Sequence, residues 1–342
     1  MPTFRTGTVL SLLSERPGLQ RVETELGRAY VLTELTGPVV PGDRVVLNTT
    51  AVELGLGTGG WHVVHWNLER DALERPGPGH IMKLRYTSLQ VDTGAAEELH
   101  PDLPDDLGGM PVVVCSLHSQ VPAVAAAVLS HAPHAQIAYV MTDGAALPLA
   151  LSDLVAAMVE KGLLATTITA GHAFGGDLEA VSVPSALLLA RHAVDADLAI
   201  VAMGPGVVGT GSRLGTTAVE VAAVLDAASR LGGRAVAALR MSSGDPRARH
   251  AGVSHHSTTA LELTASRVLV ASPAAGTFTS DRHEVRVAEP PDVSALLADA
   301  GLHVTTMGRG PEEDPLSFAA AGAAGTLAAG LLAEGAERAG GT

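Results

Sequence analysis

From Met110 onward the sequence alternates two textures, and this alternation constrains the fold more than any other feature. Short apolar runs occupy residues 111–116, 136–141, 164–170, 197–203, 235–241 and 267–272. Runs of that length suit strands buried on both faces. Between them lie helix-length stretches at 122–131, 149–161, 185–194, 216–231 and 257–265. Residues 293–300 read as a further helix, 303–307 as a strand and 315–337 as a long Ala-rich helix. The alternation predicts α/β architecture: a mostly parallel, Rossmann-like sheet with helices on both faces, in three layers.

The first 70 residues differ. Segments 5–13, 20–26, 28–35, 43–48 and 62–67 are short and rich in Val, Leu and Thr. Turn signals such as Arg16-Pro17-Gly18 and Pro41-Gly42-Asp43 separate them, which predicts a small β-barrel or sandwich. The stretch Gly55–Gly60 runs into Trp61 and reads as a tight turn or a glycine-rich lid. Arg75-Pro76-Gly77-Pro78-Gly79 signals a linker, and an acidic excursion follows. The expected organisation is a β-rich domain over 1–70, a linker over 71–110 and a Rossmann-like domain over 111–342.

Charge and composition remove several function classes. The net charge is −14, so binding of duplex nucleic acid through a broad basic face is not expected. Single-stranded binding by the β module is disfavoured by the same acidity and by nine aromatic residues in all. Cys115 is the single cysteine, which excludes an internal disulfide and a cysteine-cluster metal site. Lys83 and Lys161 are the only lysines, and no phosphate-binding P-loop motif is present. The first 13 residues read as a strand, not a signal peptide. The long uncharged stretches at 107–142 and 315–333 are broken by proline or dominated by Ala and Gly, so a cytoplasmic protein with no membrane span is expected.

In sheets of the predicted type, ligands sit beyond the carboxyl ends of the strands. The loops there carry His118 after the first core strand, Asp143 after the second, and His172, Asp177 and Glu179 after the third. These five are the candidate acid–base or catalytic residues. After the fourth strand, Gly204, Gly206 and Gly209 match G-x-G-x-x-G, followed by Gly211 and Ser212. Glycine lets backbone amides approach an anion. A dinucleotide site is not expected, because the motif follows the fourth strand and the next strand ends at Arg240, where NAD needs a carboxylate. After the fifth strand come Ser242, Ser243, Gly244 and Asp245, then Arg247, Arg249, His250, His255 and His256. His255 and His256 are candidate ligands for a divalent metal. Lys83 and Arg85, with His80, form a compact basic group suited to a phosphate or carboxylate. Cys115, within an apolar strand, reads as a core residue.

Three runs resemble a known family: Gly42-Asp43-Arg44-Val45-Val46-Leu47-Asn48, Leu54-Gly55-Leu56-Gly57, and Gly79-His80-Ile81-Met82-Lys83-Leu84-Arg85-Tyr86-Thr87. With Gly171–Glu179 and Gly204-Pro205-Gly206, they are similar to a bacterial family of actinobacteria and firmicutes known only as a domain of unknown function. The resemblance spans nearly the whole chain. It implies one bacterial protein architecture and assigns no activity, cofactor or catalytic residue.

The functional expectation is an enzyme acting on a small phosphorylated or carboxylated metabolite at the strand ends. The alternative is a non-catalytic ligand-sensing or assembly protein. In that reading Gly322, Gly325 and Gly330 of the last helix allow close packing in a homo-oligomer.

Overall fold

A computed structural model of the chain describes residues 1–57 and 59–340, with side chains through residue 335. Thr58, inside the Gly55–Gly60 stretch, and the final two residues of the expected 111–342 domain lie outside the described residues. The chain forms two compact units, divided between Gly94 and Ala95.

In the first unit, five strands close into a barrel: β1 (Phe4–Arg16), β2 (Leu19–Thr24), β3 (Gly27–Leu32), β4 (Arg44–Asn48) and β5 (His62–Asn67). Their order around the barrel is β1-β2-β3-β5-β4, so the expected barrel-or-sandwich is a barrel. Closure depends on the length of β1. Its first half pairs with β4 from Phe4 to Thr8, and its second half pairs with β2 from Val9 to Arg16. Two register shifts in β1 supply the bend that lets one strand serve both neighbours. Val9, Val22, Ala29, Val31, Val45, Leu47 and Val64 fill the interior. Residues beyond the barrel form little regular structure. Met82–Lys83 pairs with Val91–Asp92 as a two-residue ladder.

The second unit is built on eight strands: β6 (Pro111–Cys115), β7 (Ile137–Thr142), β8 (Thr166–Ala170), β9 (Leu178–Ala180), β10 (Leu198–Met203), β11 (Arg234–Ala238), β12 (Leu269–Ser272) and β13 (Glu284–Val287). The order is β9-β8-β7-β10-β6-β11-β12-β13, and every neighbouring pair is parallel. Every residue of β6, β7 and β10 is buried, as their unbroken apolar sequences require. Side chains alternate between layers. Val113, Cys115, Tyr139 and Met141 join one core, while Val112, Val114, Ala138 and Val140 join the other.

Seven helices cover the two faces. On the first lie α1 (Val121–His131), α2 (Asp153–Glu160), α6 (Val293–Asp299) and α7 (Pro315–Gly340); on the second lie α3 (Val183–His192), α4 (Glu220–Arg230) and α5 (His255–Leu263). The chain leaving β6 turns to the first face, and the chain leaving its neighbour β10 turns to the second. A crevice therefore opens at the carboxyl ends of β6 and β10.

Two short edge strands, β9 and β13, are absent from the sequence-based reading. Each alternates charged with apolar residues over three or four positions, as in Glu284-Val285-Arg286-Val287, and carries no long apolar run. The expected strand over 303–307 is not formed. Thr306 and Arg309 pair across a tight turn in which Met307 and Gly308 take positive φ values of 50° and 80°. That turn reverses the chain and brings Arg309 back toward Asp314.

Among the described residues one helix, Pro315–Gly335, is long and apolar enough to cross a membrane, and 67% of its most apolar window is buried inside the protein. Gly325 lies against α1, where a Cβ would stand 2.7 Å from Ala127 Cβ and collide with the Val124 carbonyl oxygen. Gly322 is similarly closed off by Val293 and Pro290, whereas Gly330 faces open space.

Candidate functional site

A polar cluster of the second unit lies where β11 ends. The chain continues through Arg240 into a small ladder, Met241–Ser242 paired with Gly252–Val253, that pinches off a loop carrying Asp245, Arg247, Arg249 and His250. Ser254 then caps α5, its Oγ accepting from the His256 amide at 3.2 Å. The Arg240 backbone is tied to that first helical turn at both ends. Its N–H donates to Ser257 Oγ at 2.8 Å, and its carbonyl accepts from the Ser254 N–H at 2.9 Å.

Two buried carboxylates hold the arginines in place. Arg247 grips Asp245 in bidentate fashion, Nε to Oδ1 at 2.8 Å and NH2 to Oδ2 at 2.6 Å. Arg309 and Arg240 approach the same Oδ2 at 3.5 and 3.9 Å. Hydrogen bonds from Arg247 outweigh burial and hold the Asp245 carboxyl well below the usual range. Asp314 accepts from Ser242 Oγ at 2.6 Å, from the Ser243 amide at 2.8 Å and from Arg309 Nε at 3.1 Å. Burial pushes Asp314 upward, but these donors prevail and its carboxyl also lies low. Three arginines thus face two buried carboxylates.

Three imidazoles cluster beside this network in tilted and edge-on contacts, with ring centroids 4.3–5.1 Å apart among His250, His255 and His256. Arg240 NH1 donates to His256 Nδ1 at 3.0 Å. Because a guanidinium only donates, Nδ1 must accept, and the His256 proton sits on Nε2. Burial, followed by the field of Arg240, lowers His256 to about 3 and His250 to about 4. His255 is lowered by burial and by Arg249. All three rings are neutral at pH 7, while Arg240, lowered by burial to about 10, stays charged. His250 Nδ1 meets Ser254 Oγ at 2.7 Å, and Arg249 Nε lies 3.4 Å from His250 Nε2. His255 Nε2 is buried and has no hydrogen-bond partner among the described residues.

Three ligand atoms of this trio lie within 4.8 Å of one another, the proximity a metal site requires. The electrostatics oppose a cation. A metal on His256 Nε2 would need the proton moved to Nδ1, where Arg240 already points a hydrogen. The arginines add a positive field that repels a divalent ion. The donor set instead suits an anion. A cavity of about 110 Å³ opens beside Arg240, Arg247, Arg249 and His256, with Gly209 and Thr210 of the glycine loop on its wall. Gly209 is pressed against His256, so that a Cβ there would lie 3.5 Å from Nε2.

The residues expected from the sequence fall into separate groups. Gly209 joins the arginine pocket. Gly204 packs instead on the Ala146 carbonyl, and Gly206 takes a positive φ of 100°. Ser212 bonds to Thr210 Oγ1 at 2.8 Å within the loop, and Gly211 faces open space. His172 lies after β8, four strand spacings from β11, or about 19 Å across the sheet. Its amide donates to Asp143 Oδ2 at 2.9 Å. Asp177 accepts from the amide and hydroxyl of Thr167 at 2.8 and 2.9 Å, and Glu179 accepts from Thr169 Oγ1 and the Gly175 amide at 2.6 Å each. These two carboxylates tie their own loop to β8. His118 bridges Ser152 Oγ at 2.7 Å and Tyr139 OH at 3.1 Å, and burial lowers it to about 4. Lys83 and Arg85 belong to the first unit, the former buried and the latter donating to the Met82 carbonyl at 3.4 Å.

Arg309 and Asp314 of the cluster were not singled out from sequence, nor was Glu220, which lies apart from it. Glu220 begins α4, accepts from Thr142 Oγ1 at 2.7 Å, and is raised by burial and by neighbouring Asp143. Nothing local marks any of the three. Arg247, Arg249 and His250 did carry a signal, as a polar run just past a core strand, but a chain with 20 arginines makes such runs easy to pass over.

Neither a search of curated proteins nor one of solved structures found a match. A family profile described as "Protein of unknown function (DUF3866)" matches residues 28–325, from β3 of the barrel through nearly all of the α/β unit, and the chain belongs to that family.

Proposed function

We propose that this protein is an enzyme acting on a small phosphorylated or carboxylated metabolite, held at the carboxyl ends of β10 and β11. One observation carries the reading. Arg240, Arg247 and Arg249 converge with His256 and the glycine loop on a single cavity, in a chain whose net charge is −14. Such convergence draws an anion against the field of the whole protein. Arginine supplies planar, permanently charged donors for oxyanions. His256, neutral with its proton on Nε2, lines the same cavity as a further hydrogen-bond donor to the anion, and His250 lies beside it. The test is turnover: purified protein is incubated with panels of phosphate monoesters and small carboxylates, and products are followed by 31P NMR and mass spectrometry. Conversion that disappears in His256→Gln supports the enzyme; binding without conversion of any compound overturns it.

A second reading, a non-catalytic ligand sensor, is favoured by one feature of the same pocket. Among the described residues lining it there is no carboxylate and no cysteine. In that case the ligand changes stability or assembly without being consumed, which thermal shift and light scattering with and without ligand would register. A homo-oligomer belongs to this reading, with the exposed α7 surface around Gly330 as its contact.

A further inference from the structure

We infer that the anion taken by this pocket is a tetrahedral dianion, the terminal phosphate of a monoester or inorganic phosphate, and not a carboxylate. This rests on the functional reading above and narrows its ligand class. Charge is the first argument. Arg240, Arg247, Arg249 and Arg309 bring four positive charges, and Asp245 and Asp314 return two, while the three neighbouring imidazoles are neutral. The cluster is left with two uncompensated positive charges, the complement of a dianion.

Geometry is the second argument. The donors come from three separate segments of the chain. Arg240 rises from the end of β11 and is anchored to the first turn of α5, Arg249 projects from the pinched loop, and His256 Nε2–H comes from the helix itself. A carboxylate offers two oxygens in a plane, which one guanidinium satisfies; a phosphate offers three or more in a tetrahedron, which donors from several directions satisfy. Size is the third. The cavity of about 110 Å³ is several times a water's share of liquid volume, about 30 Å³, which is room for a phosphate group.

The test is calorimetric titration of the full chain with phosphate, sulfate, acetate, malonate and Zn²⁺ in turn, repeated on Arg249→Gln and Arg249→Lys. Arg249 is exposed, so its replacement leaves the fold intact, which circular dichroism verifies. The expected result is phosphate and sulfate competing for one site at least tenfold tighter than either carboxylate. Arg249→Gln should weaken phosphate at least tenfold, and Arg249→Lys should recover part of the loss. Acetate or malonate binding as tightly as phosphate, with the same dependence on Arg249, overturns the tetrahedral assignment and leaves the broader anion reading standing. Zn²⁺ that binds and displaces phosphate, or phosphate binding indifferent to Arg249, also overturns it. If none of the anions binds, both readings fall together.

Discussion

The guanidinium of Arg240 and the imidazole of His256 meet at 3.0 Å, NH1 donating to Nδ1, and this contact fixes which nitrogen of the histidine carries its proton. The consequence is spectroscopic. Two-bond 15N–1H correlation spectra of the native protein at pH 7 should show His256 as the Nε2–H tautomer. In Arg240→Leu the constraint is gone, and a mixture of tautomers is expected. Finding His256 protonated at Nδ1 in the native protein would refute the arrangement and reopen the site to a metal.

Asp314 makes the arginine network sensitive to acid. Its carboxyl is held below its ordinary value of 3.8 by donors from Ser242, Ser243 and Arg309. A group whose pKa is depressed on folding contributes stability that is fully present above its unfolded value and is lost as the pH falls through the lower folded one. Asp314→Ala removes the acceptor of Arg309 Nε, leaving that side chain only its 3.5 Å contact to Asp245, and should cost up to roughly 3–5 kcal/mol near neutral pH. The advantage of the native protein over this variant should shrink as the pH falls below about 4. Melting temperatures of both proteins measured from pH 7 to pH 3 check this; a gap that stays constant over the whole range contradicts it.

Asp177 and Glu179 differ in kind from the pocket residues, although the sequence presents them as equal candidates beside His172. Both carboxylates are spent on amides and hydroxyls of their own strand–loop unit. Asp177→Ala should therefore lower the melting temperature by a few degrees, the effect of about 1–2 kcal/mol. Phosphate affinity should change by less than twofold. A tenfold loss of affinity in a variant of native stability would place Asp177 in the ligand site instead.

The sequence made the layers legible because burial on both faces leaves unbroken apolar runs, as in Ile137–Thr142 and Leu198–Met203. It did not show the edge strands, which are short and interleave charged with apolar residues, nor the turn at Met307-Gly308. The site was legible in location only. Its carboxyl-end placement follows from topology, and His256 and Gly209 were visible as candidates. Their partnership was not, because Gly209 and His256 come from loops after different strands, 47 residues apart. Arg309 reaches the cluster from farther still, through a turn that reads as a strand. Long-range charge pairing of this kind leaves no periodicity for a sequence to display.

The glycines of α7 separate internal packing from assembly. Gly325 sits where α7 crosses α1, with the Val124 carbonyl and Ala127 Cβ occupying the space a side chain needs. Gly325→Val should force the helices apart and cost about 1–3 kcal/mol or more. Gly330 is exposed and meets nothing nearby, so Gly330→Ala removes only backbone freedom from the unfolded chain. It should stabilise the protein by up to about 1 kcal/mol. Urea unfolding of the two variants tests the pair. If α7 instead uses Gly330 to contact a second copy of the chain, Gly330→Ala will lower stability and dissociate the assembly in light scattering, an outcome opposite in sign to the one expected from internal packing alone.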